Sequence, residues 1–312
     1  MAMAKTFPVV LINGILESGK TKFIIDSLKN GDFGNIGRVL ILATEEGEVE
    51  YDERELAKCN AVCHVFENAE EFTVQNINEL IKENKPHAVF VEMNAMWDWS
   101  SIKMPPYMLV EQTFTIIDGT TFKYYFNNMR QRFTDMVKAS DIVIMNRCLP
   151  NSEYCGFKRS LRLINKDAVV LMLDENDQSI SFEDELPYKL GDEMLVKPDD
   201  FGVFYIDTFE SRARYEGKIV EFDCMTVTSK KLPPNTFVAG RLAMTCCADD
   251  IELVGHLCAS EKPITVKNQQ WVHLRVRVHY MAERPDDEPQ IILELLSMKE
   301  IDEIENPVVS LN

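Results

Sequence analysis

Along residues 7–174, short apolar runs rich in Val and Ile alternate with segments whose apolar positions recur every three or four residues. The runs FPVVLIN (7–13), GRVLILAT (37–44), HAVFVEM (87–93), TFTIID (113–118), SDIVIMN (140–146) and AVVLML (168–173) are apolar almost throughout. Strands buried on both faces read this way, whereas strands with one wet face alternate. Helical patterns lie between them, at residues 20–28, 70–83, 122–138 and 158–164. Strand and helix in alternation predict an α/β domain with a mostly parallel sheet and flanking helices.

The pattern changes near residue 198. GKIVEFDCMTVTS (217–229), TFVAGRLAMTC (236–246), IELVGHLCA (251–259), WVHLRVRVHYM (271–281) and QIILELLSM (290–298) read as five strands with no helix between them. The fourth alternates cleanly, with Val272, Leu274, Val276 and Val278 on one face and His273, Arg275, Arg277 and His279 on the other. Five such strands joined by polar turns predict a small all-β domain, a sandwich or an OB-like barrel. The acidic, Pro-containing stretch after residue 174 is the expected connection. The predicted organisation is therefore 1–174 α/β, 175–198 linker and 199–312 β-rich.

Length and charge narrow the function classes. A chain of 312 residues can hold two cores. No apolar stretch approaches the roughly 18 residues that span a bilayer, and the opening MAMAKTFPVV lacks a signal-peptide core. Both predict a cytoplasmic protein that is not itself a membrane protein. A formal net charge of −18 repels phosphate backbones and anionic lipid, so no nucleic-acid partner is expected. Eight cysteines without an export signal point to free thiols or metal ligands, not a disulfide framework.

The first run leads into Gly14-Ile15-Leu16-Glu17-Ser18-Gly19-Lys20-Thr21, a P-loop. Such a turn wraps an anion with successive backbone N–H groups at a helix N-terminus. Gly14, Glu17, Ser18 and Gly19 form the expected cradle. Lys20 is expected on the β- and γ-phosphates, and Thr21 on Mg²⁺.

With that loop at their start, residues 7–174 resemble the CobW-type metallochaperone branch of the P-loop GTPases. PVVLINGILESGKT looks like the family's opening strand and phosphate loop, and EEGEVEYDERELA (45–57) like its switch segment. VFVEMNA (89–95), TFTIIDGTTF (113–122), ASDIVIMNR (139–147) and LRLINKDAVVLML (161–173) look like its later strands, in the same order. The resemblance implies nucleoside-triphosphate binding with Mg²⁺. Glu92 is implied as a catalytic acid at the ion or its water shell, with Asp52 and Glu48 as further candidates, each either a catalytic acid or a solvated loop acid. It also implies purine contacts from Asn146 and Arg147.

Three departures bear on mechanism. Base recognition in this family uses Asn-Lys-x-Asp, and here the run is Asn146-Arg147-Cys148-Leu149, which leaves both GTP and ATP open. Ala95 stands where the family's switch carries glycine. The Cys-x-Cys-Cys metal motif is absent; Cys59, Cys63 and His64 fall in that region, either as a metal site or as strand and core residues.

From about residue 213 the chain resembles the C-terminal domain of YcgQ-type proteins that accompany YcgR-type permeases. The stretches YEGKIVEFDCMTV, NTFVAGRLAMTCCADDIELVGHLC, WVHLRVRV and KEIDEIENPVV carry this likeness. It implies a role in metal homeostasis, zinc among the candidates, with a permease or a metal-receiving protein as partner. Cys246 and Cys247, with Asp249, His256 or Cys258 brought across from the next strand, form either a soft Zn²⁺ site or a packed pair capping the barrel. Two functions follow: a nucleotide-hydrolysing metal chaperone, or a non-hydrolysing adaptor that senses nucleotide and binds a partner through its β-domain.

Overall fold

The computed structural model describes residues 6–31, 33, 36–149, 152–180, 186–244, 251–282, 284 and 289–310. The chain divides into two compact units, Met1–Leu161 with Asp167–Phe182, and Arg162–Lys166 with Glu183–Asn312.

In the first unit the strands are β1 (Phe7–Asn13), β2 (Val39–Ala43), β3 (Ala61–Val65), β4 (Ala88–Glu92), β5 (Met108–Asp118), β6 (Ile142–Asn146) and β7 (Val169–Met172). They form one parallel sheet in the order β3-β2-β4-β1-β5-β6-β7. The helices are α1 (Lys20–Asn30), α2 (Glu53–Lys58), α3 (Val74–Asn84), α4 (Phe122–Asn128), α5 (Arg130–Lys138) and α6 (Ser152–Ile164), whose last residues, from Arg162 on, belong to the second unit. Alternate residues of one strand enter different cores. Val10, Ile12, Ile41 and Phe90 pack with Ile24 of α1 and Leu56 of α2. Val9, Leu40, Leu42 and Val91 pack with Ile77 and Ile81 of α3. Burial on both faces is the physical reason these strands carry no polar alternation.

The predicted helix 122–138 is two helices that meet at Met129, whose φ of −132° leaves the helical region. Residues 61–65, an ambiguous alternating stretch in the sequence, form the edge strand β3.

The second unit contains β8 (Glu193–Leu195), α7 (Phe201–Glu210), α8 (Arg212–Tyr215), β9 (Ile219–Val227), β10 (Thr236–Met244), β11 (Ile251–Ala259), β12 (Gln270–Met281), β13 (Gln290–Glu300) and β14 (Val308–Ser310). Strands β9 to β13 close on themselves in the order β9-β10-β11-β13-β12, with β12 and β10 both pairing to β9. Closure removes the free edges that an open antiparallel sheet would expose. Phe201 and Phe204 of α7 pack with Val220, Phe222, Val276 and Leu293 in the barrel core. Strand β8 pairs with β9 inside the stretch expected as a connection. Among the described residues no helix is long and apolar enough to cross a membrane.

Candidate functional site

After β1 the chain turns through residues 14–19 into α1, at the carboxyl ends of the central strands, where an open parallel sheet binds ligands. Gly14 has φ 148° and Gly19 φ 98°. A Cβ at Gly14 would strike the Ile116 carbonyl and the Ser18 hydroxyl, and one at Gly19 would lie 2.9 Å from Asn146 Nδ2. Only glycine meets both demands. Asn13 Oδ1 accepts from Gly14 N at 2.8 Å and steadies the start of the loop.

Helix α1 has no side-chain cap and no acid in its first turn, whereas Asp52 caps α2 and Thr73 caps α3. Its leading N–H groups are left without side-chain acceptors at the positive end of the helix dipole. That arrangement suits an anion.

Lys20 is buried, with Nζ donating to the carbonyls of Gly14 (2.9 Å) and Ile15 (3.0 Å) and pairing with Glu45. Burial raises the Glu45 pKa, and the nearby Lys20 charge only partly offsets this. Sequence reasoning passed over Glu45. It stands in the acidic run EEGEVE, where nothing local marks one acid from the next.

Thr21 Oγ1 donates to Glu92 Oε1 at 2.8 Å, and Tyr51 donates to Glu92 Oε2 at 2.5 Å. Glu92 ends β4 and is 2% exposed. Burial, then the Glu92 charge, pushes the Tyr51 hydroxyl well above its ordinary pKa. Thr21 and Glu92 thus offer oxygen donors beside the phosphate loop, a donor set that fits a hard cation such as Mg²⁺. A cavity of about 680 Å³ opens beside them, lined by Thr21, Glu45, Tyr51 and Cys63.

Asp52 stands apart from this group. Its Oδ1 accepts from Arg54 N (2.8 Å) and Glu55 N (3.0 Å), both in the first turn of α2. Glu17 reaches the switch segment, accepting from Glu48 N at 2.9 Å. Ala95 is buried, and its neighbour Asn94 donates from its backbone to Thr44 Oγ1 at 2.7 Å.

On β6, Asn146 Nδ2 donates to Ser18 O at 2.8 Å and ties the end of that strand to the turn before α1. Its Oδ1 and the Ser18 hydroxyl are buried without a hydrogen-bond partner. Arg147 pairs with Asp118 at 2.5 Å, and Leu149 is exposed.

The thiol candidates do not converge. Cys63 packs against the core, and burial followed by the Glu92 charge lifts its pKa to about 12. His64 is next along β3, so its side chain leaves by the opposite face. Cys258 faces the barrel core with no exposure, and burial raises its thiol to about 12. Cys246, Cys247 and Asp249 lie outside the described residues. Among the described residues no three His, Cys, Asp or Glu side chains gather around a common point.

The model of the CobW/HypB/UreG nucleotide-binding domain matches residues 8–170, and that of the DUF1980 C-terminal domain matches residues 172–310. Among solved structures, Zn(II)-bound YjiA GTPase from E. coli is 15% identical, with a TM-score of 0.43 over 76% of this chain and 86% of that one. Hydrogenase maturation factor HypB from Archaeoglobus fulgidus is 14% identical, with a TM-score of 0.39 over 55% and 84%. HypB from Helicobacter pylori in complex with nickel is 13% identical, with a TM-score of 0.37 over 55% and 81%. No curated protein matches. With more than half of its length in that first match, the chain belongs to the CobW/HypB/UreG family of nucleotide-binding proteins.

Proposed function

We propose that this protein is a P-loop nucleotide switch that binds GTP or ATP with Mg²⁺, hydrolyses it slowly and uses the nucleotide state in metal homeostasis. The observation that carries the reading is the meeting of Lys20, Thr21 and Glu92 at the uncapped start of α1. Lys20 exchanges its bond to Glu45 for the β- and γ-phosphates as the triphosphate enters. Thr21 and Glu92 would hold Mg²⁺, whose charge offsets that of the phosphates.

Slow turnover follows from how the acids are engaged. Both Glu92 oxygens have donors, Thr21 and Tyr51, and Asp52 caps a helix. A general base needs a free oxygen within reach of the attacking water. The same engagement favours a second reading, a non-hydrolysing adaptor that senses nucleotide and binds a permease or other partner through its barrel.

The metal role rests on family membership and on the DUF1980 match, with zinc as the proposed cargo and a metal-receiving protein or permease as recipient. The ring order of the barrel, first-second-third-fifth-fourth strand, supports an OB-like assignment. Phosphate release with Mg²⁺ at saturating nucleotide tests the proposal. Catalytic turnover supports the switch; tight binding with no turnover supports the adaptor; no binding removes both.

A further inference from the structure

Leu149 stands where a base-reading carboxylate belongs, and an exposed leucine cannot accept from the N–H groups of a purine. The structure offers a replacement from the next strand. A cavity of about 470 Å³ lies between α1 and the carboxyl ends of β5, β6 and β7. That volume falls within the roughly 300–1,000 Å³ of small-molecule sites. Gly19 of the phosphate loop lines it, Phe23, Ile116 and Ile144 give it apolar surface, and Asn146 and Asp177 supply polar groups. A flat heterocycle needs such a mixture of apolar faces and a polar edge.

We propose that Asp177 reads the base, and that the base is guanine. The inference rests on the phosphate-site reading above. Guanine carries adjacent N1–H and N2–H donors, which one carboxylate accepts together, while adenine turns a lone pair toward it at N1. A site built around that acceptor discriminates strongly against a base lacking the donors.

Asp118 is committed, accepting from Arg147, Thr120 N (2.8 Å) and Thr120 Oγ1 (2.6 Å). Asp26 also lines the cavity, one turn beyond Lys22 on α1, where it holds Lys22 Nζ at 2.8 Å as an i,i+4 pair. Asp174 Oδ1 accepts from Asn176 N and Gln178 N, each at 2.8 Å. Those bonds and the Leu173–Ser179 bridge fix the turn that presents Asp177, whose φ of 59° lies in the left-handed region. Asp177 itself pairs with Lys22 at 2.5 Å, and Lys22 also holds Asp26 at 2.8 Å. Lys22 therefore keeps a partner when Asp177 turns to the base. Both side chains of the pair are about half exposed, where an ion pair is weak, so releasing it costs little.

The test titrates the full chain with GTP, ATP and xanthosine triphosphate in Mg²⁺, for wild type, Asp177→Asn and Asp26→Asn. Wild type is expected to prefer GTP over ATP at least a hundredfold. Asp177→Asn should lose at least tenfold in GTP affinity and gain at least tenfold for the xanthine nucleotide, whose C2 carbonyl accepts from an amide N–H. Asp26→Asn should change neither by more than threefold. Unchanged GTP affinity in Asp177→Asn would overturn the assignment, as would an equal loss for all three nucleotides, which marks a purely structural turn. Failure of the phosphate-site reading looks different: wild type would bind none of the three.

Discussion

Thr21 Oγ1 donates to Glu92 Oε1 at 2.8 Å, joining the first turn of α1 to the end of β4, 71 positions along the chain. The contact sets a hydroxyl and a carboxylate at the mouth of the phosphate loop. Glu92→Gln keeps the size and removes the charge. We expect affinity for Mg²⁺-GTP to fall at least tenfold, about 1.4 kcal/mol, with affinity in chelator unchanged. Calorimetry with and without Mg²⁺ measures both, and a variant with the wild-type Mg²⁺ dependence would remove Glu92 from the ion site.

Lys20→Ala should lower triphosphate affinity at least tenfold, again about 1.4 kcal/mol. It also leaves Glu45 buried without its cation. Burial already raises the Glu45 pKa, so the folded protein holds that proton more tightly than the unfolded chain. For such a group the relative loss of stability is absent below the unfolded pKa and appears as pH rises through the folded one. The variant should therefore melt lower than wild type at pH 8 and close to it at pH 4. Adding Glu45→Gln should restore the melting temperature at pH 8 but not the binding. A double variant that stays unstable would contradict the pairing.

How far the sequence carried depended on whether a feature is local. β1, β2, β4 and β6 were legible because burial on both faces leaves an unbroken apolar run, and the five barrel strands because alternation and turns bound them. Helix α7 escaped notice: FGVFYIDTFE is apolar nearly all round, so no stripe gives it a helical period. The phosphate loop is contiguous and reads directly. The partners of Lys20 and Glu92, namely Glu45 and Tyr51, arrive from the loop between β2 and α2 and carry no local mark. Asp52 looked like a site acid because its role as a helix cap shows only once α2 is placed. Asp177 is invisible for the same reason, since only the sheet order brings the β7 loop beside Asn146.

Cys258 separates packing from metal binding. Its side chain sits in the apolar core of the barrel, where burial disfavours the thiolate that a metal ligand must become. Cys258→Ser should destabilise the fold by about 1–3 kcal/mol, the usual cost of a hydroxyl in an apolar core, and leave zinc uptake unchanged. Native mass spectrometry on the full chain reads the uptake, and chemical denaturation the stability. Loss of zinc with wild-type stability would return Cys258 to the ligand set with Cys246 and Cys247.

His256 gives the second unit an acid limit. The Thr208 hydroxyl donates to the Tyr205 carbonyl at 2.6 Å, so the bond between Thr208 and His256 at 3.0 Å must have Nε2–H as its donor. The ring is buried among Phe204, Tyr205 and Phe209, an apolar setting that disfavours the charged imidazolium. Burial, and secondarily the Lys166 charge, lowers its pKa to about 3. A histidine with a depressed folded pKa contributes stability above its unfolded value near 6.5, and that stability is lost as pH falls toward 3. Across the window from 6.5 to 4 the loss is on the order of 3 kcal/mol. His256→Leu fills similar space, leaves Thr208 its bond to Tyr205, and removes the titration. Denaturation of the full chain at pH 7 and pH 4, followed on the unfolding of the second unit, should show a large loss of stability in wild type. In the variant that loss should shrink by most of this amount. Equal acid sensitivity in both would place the titrating group elsewhere.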